Sequence, residues 1–303
     1  MLQFFNFDSL ENNAVSSCQR LFHGRGHAYT GYEHVNVDWL SPVVLITLYK
    51  EVNSDWIQEI ANELMTLIPD CLSVQVQYRC RSRAPFEILV GQEISQTIVN
   101  EDGLKFNIQL GKSQNTGLFL DIKNGRSWIK NHAKNKNILN LFSYTCAFSV
   151  AALAGGAKQV VNIDNNKSVL SKGRENHRLN QQDTNKVKFE PVNIFNSWRR
   201  VRKYAPYDML ISDPPSFQTG SVNIKRDYKK IIQRIPELMN PNSDLLLCLN
   251  SPELSEDFLF QTVSENCPEC KYIEKIQAPD VFKEAEDGKG LKVLLFRYLP
   301  STV

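Results

Sequence analysis

The chain has 303 residues, 42% hydrophobic and 22% charged, and a formal net charge of +2 at pH 7. This composition argues against disorder, and apolar runs such as Val43–Leu48 fall far short of the ~20 residues that cross a bilayer. Seven cysteines, an odd number scattered through apolar runs, argue against a disulfide framework and suit a reducing, cytoplasmic compartment.

At the N-terminus, Met1–Asp8 has no cationic stretch ahead of its apolar residues, so no secretory signal is expected. Pro42–Tyr49 (PVVLITLY) is rich in β-branched residues and reads as a buried strand. Asp55–Leu67 carries Trp56, Ile57, Ile60, Leu64 and Leu67 at helical spacing, and Pro69 ends it. Val74–Arg79 alternates like a half-buried strand, and Glu87–Val90 and Lys105–Leu110 suggest two more. Residues 1–112 therefore read as a small α+β domain.

From residue 113 the rhythm becomes strand-helix alternation. Strands are expected at Asn137–Ser143, Gln159–Asp164, Lys186–Glu190, Tyr207–Asp213, Asp244–Asn250 and Leu291–Tyr298. Helices fit Phe148–Ala154, Lys167–Asn180, Phe195–Tyr204 and Arg226–Met239. Such alternation implies an α/β domain, 113–303, with a doubly wound, mostly parallel sheet. Ligands of such sheets bind outside the carboxyl ends of the strands.

The first of these strand ends carries Ser143-Tyr144-Thr145-Cys146-Ala147-Phe148, a turn of small residues opening a helix. The second ends at Asp164, followed by Asn165. A carboxylate at this offset can accept both ribose hydroxyls of an adenosine ligand, or can simply cap the next helix. The turn lacks the G-x-G-x-x-G glycines that a pyrophosphate requires, which favours S-adenosylmethionine (SAM) over a dinucleotide. Asn193 and Ile194, after the third strand, would flank adenine. Asp213-Pro-Pro-Ser-Phe217 ends the fourth strand. Its prolines remove backbone donors, leaving carbonyls that can accept hydrogen bonds from a base, while Phe217 stacks on the base for roughly 1–3 kcal/mol.

In order along the chain, Gln114–Arg126, Asn140–Thr145, Asp164, Asp213–Phe217 and Asp227-Tyr228 resemble the large-subunit ribosomal RNA methyltransferases, in both their cytosine-carbon-5 and guanine-nitrogen-7 branches. The resemblance covers 113–303 and extends more loosely to 15–112. It implies a Rossmann-like class I methyltransferase domain that binds SAM, with ribosomal RNA as partner and the N-terminal domain touching that RNA. Neither a membrane nor a metal is implied. No counterpart of the PUA domain found in the cytosine branch is expected.

By this resemblance Thr116–Arg126 would form a hairpin at the cofactor pocket, with Asp121 and Arg126 near the methionine part of SAM. Phe142, Ser143 and Tyr144 would line the pocket, and Asp213 and Pro214 would lie between donor and acceptor. Pro215, Ser216 and Phe217 would meet the substrate base, and Tyr228 could stack on it or pack in the core. Cys146-Ala147 departs from the family's frequent Gly-Gly, and Asn193 from its frequent Asp.

Carbon 5 of a pyrimidine is methylated only after a cysteine adds to the ring. The two places where such cysteines stand hold Asn250 or Ser251, and Ser216. A base nitrogen needs no covalent catalyst. The expectation is therefore direct transfer to a base nitrogen, guanine foremost, with Asp213, Pro214 and Asn250 positioning the base. The alternatives are a cytosine enzyme using the displaced Cys248, or a SAM- and RNA-binding protein without catalysis. A protein amide is a further possible acceptor.

Other features carry competing readings. Cys267-Pro-Glu-Cys270 has metal-ligand spacing but lacks the second pair that a structural zinc site needs. Arg20–His27, rich in Gly, His and Arg, could touch RNA or pack as a loop. Arg199-Arg200-Val-Arg202-Lys203 and Lys225–Lys230 could be solvated helix faces or part of a nucleic-acid surface.

Overall fold

The computed structural model describes residues 1–5, 17–215, 217–218 and 222–301. The chain divides into two compact units, Met1–Leu120 with Asp280–Asp287, and Asp121–Pro279 with Gly288–Val303.

The first unit is built on a five-stranded sheet of β1 (Cys18–His23), β2 (Val35–Leu40), β3 (Val43–Leu48), β4 (Ser73–Tyr78) and β5 (Phe86–Gly91), in that spatial order. Every residue of the β-branched β3 is buried, as a central strand requires. Helix α1 (Ser54–Leu67) carries the chain from β3 to a parallel β4, and the other neighbours are antiparallel. Asn53 caps α1, its side chain accepting from the Asp55 and Trp56 N–H groups at 2.8 and 3.1 Å. Ile57, Ile60, Ala61 and Leu64 form its buried stripe. A separate hairpin joins β6 (Gln96–Glu101) to β7 (Leu104–Gln109) through Asp102 and Gly103, both at positive φ (50° and 84°).

The second unit opens with α2 (Lys123–His132). Where a hairpin was expected over Thr116–Arg126, the chain begins this helix. Spaced apolar residues, Ile122, Trp128 and Ile129, pack it against the sheet. There follow β8 (Asn137–Leu141), α3 (Ala147–Ala154), β9 (Gln159–Asp164), α4 (Lys167–Leu179), β10 (Val187–Pro191), α5 (Trp198–Arg202) and β11 (Tyr207–Ser212). A two-residue pair, β12 (Phe217–Gln218) and β13 (Val222–Asn223), precedes α6 (Ile224–Ile232) and α7 (Ile235–Leu238). The chain ends with β14 (Met239–Leu249), α8 (Glu256–Asn266), β15 (Cys270–Lys275) and β16 (Lys292–Tyr298).

The expected single helix over Arg226–Met239 is thus two, because Pro236 removes a helical donor and starts α7 afresh. The expected helix over Phe195–Tyr204 is reduced to a 3-10 turn at Ile194–Asn196 and the short α5.

The seven-stranded sheet runs β10-β9-β8-β11-β14-β16-β15, and β16 is antiparallel to both its neighbours. Strand order reverses between β8 and β11, so the ligand crevice of this fold lies outside their carboxyl ends. Along β14, Leu245, Leu247 and Leu249 face one core with α6 and α8, and Leu246 and Cys248 face the other with α2 and α3. No described helix is long and apolar enough to cross a membrane.

Candidate active site

The turn after β8 is tightly wound. Phe142, Tyr144 and Cys146 all hold positive φ (56°, 47° and 62°). Side-chain-bearing residues pay of order 1–3 kcal/mol each for such backbone, and strain of this kind gathers at functional sites. Hydrogen bonds enforce it: the Ser143 N–H donates to the Ile163 carbonyl (3.1 Å), and the Cys146 N–H to the Ser143 carbonyl (2.7 Å). Cys146 takes the left-handed place a glycine would favour, and its fully buried side chain lies over Gly173 of α4. A Cβ at Gly173 would overlap Cys146 Sγ, so the bulk in the turn is accommodated by a glycine in the facing helix.

Asp164 ties this turn to the end of β9. Its Oδ2 accepts the Tyr144 N–H and its Oδ1 the Asn166 N–H, both at 2.9 Å. The cap of α4 is Asn166, which accepts from the Ser168 N–H at 2.9 Å, so Asp164 is not spent on capping. Burial pushes the Asp164 carboxyl up, against the pull of the two N–H groups. Each of its oxygens keeps a lone pair for a further donor. Asn165 beside it is exposed.

Beneath the turn lies a buried polar chain that the sequence did not announce. Asn140 donates to Asn162 (2.8 Å), Asn162 to Ser149 (3.0 Å), and Ser149 meets His177 Nε2 (2.9 Å). Its other nitrogen, Nδ1, meets Gln182 Oε1 (2.6 Å), and Gln182 donates to the Val150 carbonyl (2.8 Å).

At the end of β10, Asn193 Oδ1 accepts the Phe195 N–H (2.9 Å) and caps the 3-10 turn. Ile194 is buried in the core, and the partly buried Phe195 and Phe142 rings lie 6.3 Å apart.

The end of β11 supplies the charged part of the site. Enclosure, then the nearby Asp121 carboxylate, push the Asp213 carboxyl up to about 7, with Arg126 opposing. Asp121, Arg126 and Asp213, far apart in sequence, are thus brought together, and Arg126 is itself buried. Ser212, just before, has a fully buried hydroxyl with no hydrogen-bond partner among the described residues. Pro214 is buried and Pro215 partly so. Ser216 and the Phe217 side chain lie outside the described residues.

Asn250 is exposed just beyond β14. The following Ser251 carbonyl accepts from Lys292 Nζ at 2.6 Å, and Lys292 is almost wholly buried. This lysine was missed, because a Lys opening the apolar run KVLLF reads as a solvent-facing strand end. Tyr228 corrects an expectation: it is 1% exposed, packs in the core, and its hydroxyl donates to the Cys248 carbonyl at 3.1 Å. Its ring is therefore unavailable to stack on a base. Cys248 is fully buried, and burial together with Asp213 and Asp121 pushes its thiol well above the ordinary range.

This donor set fits SAM. A carboxylate with spare lone pairs suits a ribose diol, a turn of side-chain-bearing residues suits a ligand without phosphate, and Arg126 with Asp121 suits an amino acid's opposite charges. Among the described residues no group of three or more His, Cys, Asp or Glu could hold a metal ion. The Cys267 and Cys270 sulfurs lie 3.4 Å apart as buried free thiols. Gly24 and Gly26 allow close backbone approach, Gly26 against Lys283 of the same unit.

Comparison with known proteins gives concordant results. The family model described as S-adenosylmethionine-dependent methyltransferase matches residues 19–297. A ribosomal RNA large subunit methyltransferase I of Enterobacter sp. is 28% identical over 267 residues, covering 85% of this chain and 67% of that protein. The protein of the same description in Salmonella paratyphi B is 30% identical over 243 residues, covering 77% of this chain and 60% of its own length. The chain therefore spans about three fifths to two thirds of these relatives. Among solved structures, SMU.776, described as a methyltransferase complexed with SAH, superposes with a TM-score of 0.86 at 26% identity. That likeness covers 96% of this chain and 78% of SMU.776.

Proposed function

Because the chain belongs to the S-adenosylmethionine-dependent methyltransferase family, we propose that it methylates RNA, ribosomal RNA of the large subunit foremost, by direct transfer to a base nitrogen, guanine above others. The observation that carries this reading is the convergence of Asp121, Arg126 and Asp213 at the crevice, beside a Cys248 that is no usable nucleophile. The relatives' description as ribosomal RNA large subunit methyltransferases supports the choice of substrate.

Bound SAM supplies an electrophilic methyl on a sulfonium, and alignment with an acceptor then accounts for most of the acceleration. Asp164 would hold the ribose of bound SAM, Phe142 and Phe195 would give an apolar wall, and Asn193 and Ile194 would border the adenine. Asp213, with a carboxyl that ionises about pH 7, takes the proton shed where the acceptor is a proton-bearing nitrogen such as guanine N1 or N2; at N7, which carries none, its carboxylate offsets the positive charge that the base gains. The Pro214 carbonyl and Asn250 orient the base edge. Pro214 and Pro215 offer no competing donors. The cytosine alternative needs a thiolate at Cys248, which burial and two carboxylates oppose. The N-terminal unit contributes to RNA contact.

Incubation with methyl-labelled SAM and unmethylated RNA tests this. Label should enter RNA, Cys248→Ser should keep the activity within about twofold, and Asp213→Asn should lose most of it. Label appearing only in protein, or no transfer despite SAM binding, would overturn the proposal.

A further inference from the structure

Positive charge is concentrated in one stretch. Residues 195–234 hold nine Lys and Arg against three Asp, a net +6 in a chain of net +2, so all the rest carries −4. Runs of this kind are commonly solvated helix faces on which acids balance bases. Here two of the three acids of the stretch are turned elsewhere: Asp208 accepts from the Asn137 N–H and the Asn240 amide, and Asp213 belongs to the site. Only Asp227, its side chain buried, balances cations of the stretch, Arg226 and Lys230.

The cations gather on the surface of α5 and α6. Lys230 Nζ lies 5.4 Å from the Phe195 ring centre and the Arg234 guanidinium 5.4 Å from that of Trp198. Arg202 and Arg234 share Glu237. Arg200 pairs with Glu190, Lys225 with Glu253, and Arg226 and Lys230 with Asp227. Nine cations thus face four acids. Arg199 and Lys229 are exposed and have no acidic partner among the described residues. The face reaches the cofactor crevice at Phe195, whose ring meets Phe142.

We propose that the α5–α6 face binds the phosphate backbone of the RNA next to the target base, an inference that rests on the RNA-methylating reading of the crevice. A cationic face joined to partly exposed aromatic rings matches what single-stranded RNA presents: phosphates at regular spacing and bases that stack. Bound phosphates release counterions, so affinity should fall with salt by a slope of about 0.7 per phosphate on single strands.

The test uses the whole chain, fluorescently labelled single-stranded RNA of mixed sequence, and a salt titration. Arg199→Glu with Lys229→Glu should weaken binding about tenfold or more and reduce the salt slope by about one to two, with SAM affinity by calorimetry unchanged. Lys134→Glu with Lys158→Glu makes the same charge change beside α2 and α3, on the opposite face of the sheet, and should have little effect. Unchanged binding by the α5–α6 variant, or an equal loss in both variants, overturns this face and leaves the crevice reading standing. If the unaltered protein binds no RNA, the inference and the RNA reading fall together.

Discussion

Asp213 illustrates how a residue's surroundings set its use. Its carboxyl ionises about pH 7, against ~3.9 for an exposed aspartate. Between about pH 4 and 7 the folded chain therefore holds a proton that the unfolded chain has lost, so Asp213 subtracts stability as pH rises through this window. Asp213→Asn should raise the urea midpoint at pH 8, while cutting kcat about 100-fold and abolishing an acid limb near pH 7 in the rate profile. A midpoint that falls, or a rate profile that keeps its limb, would show that the carboxylate is not the titrating group. Asp164 acts through geometry as well as charge. Asp164→Ala removes the acceptor for the Tyr144 and Asn166 N–H groups and should weaken SAM binding by about tenfold or more, measured by calorimetry. Both aspartates were legible in the sequence because each ends a strand at a distinctive offset. Tyr228 could be read either way, because its neighbours Lys225, Arg226, Lys229 and Lys230 suggest an exposed face while its own helical position points into the core.

At the scale of elements, the turn after β8 and helix α4 form one fitted unit. Gly173→Ala would set a methyl into Cys146 Sγ and should cost roughly 1–3 kcal/mol, as overpacking does. Adding Cys146→Gly should recover much of that loss, which a double-mutant cycle in urea would measure; strictly additive effects would deny the fit. Strands with strong apolar runs, β-branched in β3 and β9 and Met209-Leu210-Ile211 in β11, were readable from the sequence alone. The hairpin strand β6 was not, although Asp102-Gly103 is a hairpin turn signal, because Gln96–Glu101 is polar on the face that reads as strand. Helix α2 was hidden by a glycine and four polar residues in its first five positions, and β15 by its four exposed central residues. The crevice could be located because it depends on strand ends. The polar chain from Asn140 to Gln182 could not, since its members come from five separate stretches.

Over the whole molecule, two histidines, one in each unit, oppose Asp213 in the response to acid and together outweigh it. Burial, with Arg20 and Arg25 nearby, lowers His23 to about 3, and burial lowers His177 to about 4. Their folded values lie below the ~6.5 of free histidine, so the unfolded chain binds more protons and stability falls as pH drops from about 6.5 towards 4. The urea midpoint should therefore drop between pH 7 and pH 5, and His177→Gln should flatten part of that dependence; an unchanged slope would place the acid sensitivity elsewhere. The α/β class and the strand-helix rhythm of the larger unit were evident from residue 113 onward. The return of Asp280–Asp287 to the first unit was invisible, because nothing local marks a segment that leaves one unit for the other. The acceptor atom separates direct transfer from cysteine-dependent chemistry. Unmethylated ribosomal RNA treated with methyl-labelled SAM and this protein should be digested and its labelled nucleoside identified by mass spectrometry. A guanosine methylated on nitrogen is the predicted product, and 5-methylcytidine would overturn direct transfer to a base nitrogen.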